Sequence, residues 1–259
     1  VASLVGSEMC IRDRITGPII SSKKIIEDLN QLEEKEDIVS IVLRIDSPGG
    51  SVAPTEEIYE KIKKVKKIKP VIASVGNVAA SGGYYIAVAA DSIFANKGSI
   101  LGSIGVIISY PIMKDLFDKV GIDVETIKSG NLKDSGSFSR NPTPQDKIFF
   151  EKLILNMYDQ FIDVIVKDRL MERNNVLSLA DGRVFTGLTS LKLGLIDELG
   201  TYESAIEIAA KMGGIEGKPQ IFQNNKKSNI VKDFLSSDLS TKIQTTWFEK
   251  SPQYRWRME

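Results

Sequence analysis

Ile38-Val39-Ser40-Ile41-Val42-Leu43-Arg44-Ile45 runs without a break into Asp46-Ser47-Pro48-Gly49-Gly50-Ser51. The first eight residues are almost continuously apolar and rich in β-branched side chains, which marks a parallel strand buried on both faces. The glycine pair turns that strand into a helix, expected over 54–68, with Ile58, Ile62 and Val65 facing inward. Residues 71–75 read as the next buried strand. A strand, a helix and a second strand of this kind close as a right-handed crossover between parallel neighbours.

The alternation continues in both directions. Residues 15–20 read as the end of a strand. Ser21 or Ser22 then caps a helix with Ile25, Ile26, Leu29 and Leu32 on its apolar face. Beyond the second buried strand, the pattern predicts a helix over 84–90 and short strands over 93–95 and 104–108. A helix over 113–120 and a strand over 124–127 follow. After a polar loop over 129–141, one long amphipathic helix is expected over 142–171, opened by proline and polar capping residues. The fold class is α/β, with a parallel sheet and crossover helices over residues 15–223. Residues 224–259 lose the rhythm and read as a peripheral tail carrying Trp247, Phe248, Tyr254 and Trp256.

Composition narrows the functions available. The chain has 259 residues, enough for one large domain with a substantial core. Its 34 basic and 34 acidic residues cancel to a net charge of +0, so no global field draws nucleic acid or an anionic membrane. Hydrophobic content of 42% with 26% charged residues fits an ordered domain. No run approaches the roughly 18 apolar residues of a membrane span. Lys61, Lys63, Lys64, Lys66, Lys67 and Lys69 form a basic stripe, but no aromatics interleave it, and it reads as a solvated helix face. Residues 4–13, Leu-Val-Gly-Ser-Glu-Met-Cys-Ile-Arg-Asp, resemble the translation of a sequencing-library adaptor, so residues 1–14 are set aside from fold reasoning. Cys10, the single cysteine, falls inside that stretch, which removes disulfide and thiol chemistry from the expectations.

The chemistry gathers in three loops. Ser81 lies in Asn77-Val78-Ala79-Ala80-Ser81-Gly82-Gly83-Tyr84-Tyr85, among small residues that permit close approach. The chain has no histidine, so an activated serine here needs another base, and lysine is the best substitute. A second reading makes Ser81 simply the cap of the following helix. The Pro48-Gly49-Gly50 loop offers backbone N–H groups at a helix start, a fit for half of an oxyanion hole or for an ordinary turn. The Gly82 N–H offers the other half. The third loop, Lys128-Ser129-Gly130-Asn131-Leu132-Lys133-Asp134-Ser135-Gly136-Ser137, holds two lysines off the helical faces. A lysine base must be neutral near pH 7, which takes burial or nearby positive charge. The residues alone leave Lys133 and Lys128 both open.

In chain order, Arg44 to Gly50, Val78 to Tyr85 and Gly102-Ser103-Ile104-Gly105-Val106 resemble the bacterial signal peptide peptidases of the SppA type. Asp181-Gly182-Arg183-Val184-Phe185-Thr186-Gly187 and Gly194-Leu195-Ile196-Asp197-Glu198-Leu199-Gly200 are similar to the same family. The resemblance covers roughly residues 15–214 and implies a Clp protease/crotonase-like fold. It implies Ser81 as nucleophile and Lys133 as general base, in the Lys-Asp-Ser context of the short single-domain form. It further implies Ser103 as the hydroxyl holding the lysine amine, and Gly50 and Gly82 as oxyanion donors, with Gly49 a competitor for the first. No cofactor or metal is implied. The expected substrates are apolar peptides such as signal peptide remnants. The expected assembly is a homo-oligomeric ring in which serine and lysine come from adjacent copies. The expected setting is the extracytoplasmic side of a bacterial membrane, reached through an N-terminal anchor missing from this sequence. Two other classes share the fold: an acyl-CoA enzyme, which needs no Ser81–Lys133 pair, and a catalytically silent scaffold.

Overall fold

Residues 9–223 and 253–255 are described by the structure, a computed structural model, with side chains from Arg14 to Phe222. Strand β1 (Met9–Thr16) pairs in parallel with β2 (Ile38–Ser47), and β2 pairs in parallel with β4 (Val71–Ala80). Strand β9 (Gln220–Gln223) adds to the free side of β1. Alternate residues of β2 face opposite cores, as the two-residue period of a strand requires. Ile41, Leu43 and Ile45 pack with Leu29 and Leu32 of α1 (Lys23–Glu34) and with Ile58, Ile62 and Val65 of α2 (Val52–Val65). Val42, together with Ile72 and Phe94, packs against Ala205, Ile206 and Ala209 of α8 (Tyr202–Met212). Both faces are therefore covered, which explains the unbroken apolar run.

Strand β4 forks the sheet. Its first half pairs with β5 (Ser92–Ala95), which carries β8 (Glu198–Leu199). Its last residues, Val78 to Ala80, pair instead with β6 (Ile100–Gly102), which carries β7 (Val184–Thr186) as the antiparallel member. The fork coincides with a shift of register between β2 and β4, where Ile45 faces Val75 but Ser47 faces Ala79. Asp46 fills the shift. Its carboxylate accepts from the Asn77 side chain at 2.9 Å and from the Val78 N–H at 3.1 Å.

Immediately after β4 comes α3 (Gly82–Val88), every residue of which is buried. Tyr84 donates to the Leu195 carbonyl at 2.8 Å. The Tyr85 ring meets Tyr59 edge-on at 5.2 Å and Phe161 at 4.9 Å, and Phe161 belongs to α5 (Pro144–Arg169). Tyr59 in turn donates to Asp168 at 2.5 Å. Two helices, α2 and α5, and the Leu195 carbonyl therefore clamp the segment that follows Ser81. The remaining helices are α4 (Lys114–Val120), α6 (Arg173–Leu179) and α7 (Gly187–Lys192). Among the described residues no helix is long and apolar enough to cross a membrane.

Several expectations need correction. The strand expected over 104–108 lies earlier, at β6, because Gly102 and Ser103 take positive φ of 96° and 49° and stop it. No strand forms over 124–127; Ile127 is 94% exposed and these residues pair with no strand. The strand expected over 15–20 ends at Thr16, and the long helix begins at Pro144 rather than at 142. There Thr143 and Asp146 form a reciprocal capping box that fixes the start. Met9 to Asp13, set aside at the sequence level, supply most of β1. Ser22 is the N-cap residue of α1, yet its hydroxyl donates to Glu57 of α2, while the Lys23 N–H reaches Ser21 at 3.3 Å. The lysine stripe of α2 is largely paired: Lys61 with Glu33, Lys63 with Asp168, Lys66 with Asp91. Lys69 is buried and donates to the Leu32 and Lys35 carbonyls at 2.8 and 2.6 Å.

Truncating Ile45→Ala, fully buried at the centre of β2, should lower the urea unfolding free energy by about 2–5 kcal/mol. Ile68→Ala, 62% exposed at the end of α2, should stay within about 0.5 kcal/mol of wild type in the same titration.

Candidate active site

Ser81 stands at the junction of β4 and α3 with φ 53° and ψ −118°. A non-glycine residue held there costs about 1–3 kcal/mol of backbone strain and needs its surroundings to enforce it. The Ser81 N–H donates to the Gly102 carbonyl at 2.7 Å, and its own carbonyl accepts from Tyr85 at 2.9 Å. Its hydroxyl makes no capping bond to the helix, so the role of simple helix cap is not what the geometry supports. Instead the Oγ lies 3.5 Å from the Gly105 carbonyl, and Ser81 is buried, at 1% exposed.

The two glycine pairs meet at this point. A Cβ on Gly82 would come within 2.9 Å of the Thr55 hydroxyl and 3.2 Å of both the Gly49 Cα and the Gly50 nitrogen. A Cβ on Gly83 would come within 2.5 Å of the Ser47 carbonyl. Only bare backbone allows the start of α3 to sit against the loop after β2, and the Gly50 and Gly82 amides become neighbours as a result. Gly50 belongs to β3 (Gly49–Ser51), which bridges Ile19: the Ile19 N–H donates to the Gly49 carbonyl at 2.9 Å, and the Ser51 N–H donates to the Ile19 carbonyl at 2.8 Å. Strand alternation therefore turns the Gly50 N–H to the opposite edge. The Gly49 N–H is already given to the Ser47 hydroxyl at 3.1 Å, whereas the Gly50 N–H faces the opposite edge.

That opposite edge is taken by β10 (Gln253–Arg255), antiparallel, with Tyr254 opposite Gly50. Part of the expected peripheral tail thus docks as a strand on the candidate site. Trp247, Phe248 and Trp256 lie outside the described residues.

Ser103, buried and strained at φ 49°, is held by its N–H to the Arg183 carbonyl at 2.8 Å. It opens a cavity of about 420 Å³ whose apolar wall includes Ile104, Val106, Ile154, Leu155 and Tyr158. Gly105, against which the Ser81 hydroxyl rests, lines the same cavity. No sequence signal identified these lining residues, because they converge from the segment after β6, from α5 and from the turn before β7.

Lys133 is placed elsewhere. It is exposed on the arm between β6 and α5, and among the described residues its amine has no hydrogen bond or ion pair within the chain. The single chain does not bring it to Ser81. Lys128 is committed: its amine binds the Asp134 carboxylate at 2.7 Å and the Asn131 carbonyl at 3.2 Å. Of the two loop lysines, Lys133 is thus the one available to a partner. The loop is anchored by Arg140, which grips Asp134 through Nε at 2.8 Å and a second guanidinium nitrogen at 2.9 Å. The same guanidinium donates to Asp146 at 2.6 and 3.1 Å. Asp146 also accepts from Ser135 at 2.5 Å and caps α5. Hydrogen bonds from Arg140 and Lys128 hold the Asp134 carboxyl far below the usual carboxylate range. Arg140, Ser135 and Thr143 do the same for Asp146.

The family model of peptidase family S49 matches residues 63–216, and that of Clp protease matches residues 7–100. A putative protease of Synechocystis sp. is 42% identical over 207 residues, 79% of this chain and 74% of its own length. The putative signal peptide peptidase SppA of Enterococcus faecium is 32% identical over 84% of this chain and 64% of its own. The chloroplastic serine protease SPPA of Arabidopsis thaliana is 34% identical over 86% of this chain but only 34% of its own.

Gly82→Ala should lower the thermal midpoint and reduce peptide hydrolysis about 10²–10³-fold in kcat, because the added methyl pushes the two backbones apart. Depressed carboxyls contribute stability that is present above their ordinary value of 3.8 and lost as pH falls toward their folded values. Asp146→Asn should accordingly flatten the fall of the thermal midpoint between about pH 4 and pH 2, as read by circular dichroism.

Proposed function

The chain belongs to peptidase family S49, a family of serine-type peptidases, and from that premise we propose that it hydrolyses apolar peptides with a Ser81–Lys133 dyad completed between neighbouring copies. One observation carries the reading: a strained, buried serine sits where the backbones of Gly82 and of Gly49-Gly50 pack closely together, while the candidate base stands on an exposed arm without a partner among the described residues.

The steps follow from the groups present. The neutral Lys133 amine of an adjacent copy takes the Ser81 proton as the Oγ attacks a peptide carbonyl, and Ser103 holds that amine through its hydroxyl. The Gly50 and Gly82 N–H groups receive the oxyanion; each such donor is worth about 2.7–4 kcal/mol in the transition state. The lysine ammonium then protonates the departing amine. Water, deprotonated by the same amine, clears the acyl-enzyme.

Substrate binding is supported by two features. The outer edge of β3 is competent to pair with an antiparallel strand, as β10 shows, so an extended peptide taking the place of β10 would lay its backbone past the Gly50 and Gly82 amides. The apolar cavity beside Gly105 is suited to a large aliphatic or aromatic substrate side chain. Apolar segments such as cleaved signal peptides fit both, and a membrane-associated setting belongs to the same proposal.

Assembly is supported by the arm itself. Ile112, Leu116, Val120, Val124, Ile127 and Leu132 are all substantially exposed along it, next to Lys133. An apolar stretch of this extent is a contact surface, and a second copy is the partner that would bring Lys133 toward a Ser81. A ring of such contacts would complete every site. A silent scaffold would not need the strained Ser81, and an acyl-CoA enzyme would not need a lysine arm.

Ser81→Ala and Lys133→Ala should each reduce turnover of an apolar fluorogenic peptide to background. Mixed oligomers of the two inactive variants should recover part of the wild-type rate, since some interfaces then pair an intact Ser81 with an intact Lys133. Absence of any recovery in demonstrably mixed particles would argue for a dyad within one chain.

A further inference from the structure

Arg140 is the one cation near Lys133 that holds two carboxylates at once. Asp134, adjacent to Lys133, is gripped by two of its guanidinium nitrogens, and Asp146, 1% exposed at the start of α5, is gripped as well. Backbone turns complete the loop: the Lys133 N–H donates to the Gly130 carbonyl at 3.1 Å, and the Ser135 N–H to that of Leu132 at 3.2 Å. The loop that carries Lys133 is thereby fastened through Arg140 to the capping box of a helix of 26 residues. Charges around the loop balance. Lys128 and Asp134 come from the loop, Arg140 from its end and Asp146 from α5, giving two cations and two anions before Lys133 is counted.

We infer that Arg140 is a positioning residue for Lys133, acting through Asp134: it fixes the loop to α5 and neutralises the carboxylate of the residue that follows Lys133 in the chain. Without Arg140, Asp134 and Asp146 together outweigh Lys128 by one negative charge. An uncompensated anion next to an amine favours its ammonium form, and an ammonium cannot accept the serine proton. A freed loop also loses the placement of the amine, to which proton transfer is sensitive. This inference rests on the serine–lysine reading above.

The test uses the full chain in its assembled state, an apolar fluorogenic peptide, and kcat, KM, thermal midpoint and the pH profile of kcat/KM. Arg140→Gln should lower kcat about tenfold to a hundredfold with KM within about twofold. It should also move the acidic limb of the profile up by about one pH unit. Adding Asp134→Asn should return the limb to the wild-type position or below, and Arg140→Lys should keep the limb while recovering only part of kcat. A merely structural role would lower the thermal midpoint and leave the limb where it was; that result overturns the inference. Should Arg140→Gln fail to assemble, Asp134→Asn alone decides: a limb moved to lower pH supports the inference, and an unmoved limb overturns it. Lys133→Met separates the two levels. If it keeps wild-type turnover, the serine–lysine reading falls and takes this inference with it. If it is inactive while Arg140→Gln matches wild type, only the positioning role falls.

Discussion

The site depends on a contact between backbones that has no room for side chains. Gly82 and Gly83 start α3 against Ser47, Gly49 and Gly50, at separations that a methyl group would occupy. That contact pulls the end of β4 across the loop after β2, at the place where the sheet forks and Asp46 absorbs the change of register. Ser81 is the residue caught in the crossing, and its backbone takes the strained conformation that results. The strain persists because the helix beyond it is wholly buried and its two tyrosines are locked by α2, α5 and the Leu195 carbonyl. Packing energy from the core is thus what holds Ser81 in an unfavourable backbone geometry.

Sequence pattern was a good guide wherever burial and local period agree. Ile41 to Ile45 and Val71 to Val75 lie where their β-branched runs place them, and Ile58, Ile62 and Val65 face inward as their spacing requires. The pattern misled on the arm. Val124 to Ile127 are apolar and β-branched enough to read as a strand, yet these residues are exposed and unpaired. Apolar residues there have no sheet to join within the chain, and composition does not tell a buried strand from an apolar surface awaiting a partner. Ser103 shows a related failure, since one residue at positive φ ended β6 earlier than hydrophobicity implied.

The residues of the candidate site divide along the same line. Ser81, Gly50 and Gly82 were legible as loops of small residues, because close backbone approach leaves a compositional mark. Asp46, Asp146 and Arg140 were not, because their importance comes from partners brought together by the fold rather than from any local motif. The cavity beside Gly105 is the extreme case, assembled from three separate segments. Lys133 and Lys128 are told apart by family resemblance alone at the level of sequence; in the structure Lys128 is paired with Asp134.

On the proposed reading, a chain without histidine must use a lysine as its base, which constrains where that lysine can sit. Lys69 is buried and its proton affinity is lowered by that burial, which is half of what a base requires. Its amine, however, is fully engaged by the Leu32 and Lys35 carbonyls at the far end of α1, so it cannot reach a serine. Lys133 has the opposite balance: it is unengaged, but solvated in the single chain. An amine of that kind becomes a base only when something else removes its water, and the apolar arm around it is the surface able to do so. On the proposed reading, burial of the base and completion of the site are then one event, and an isolated copy holds a nucleophile with no means of activating it.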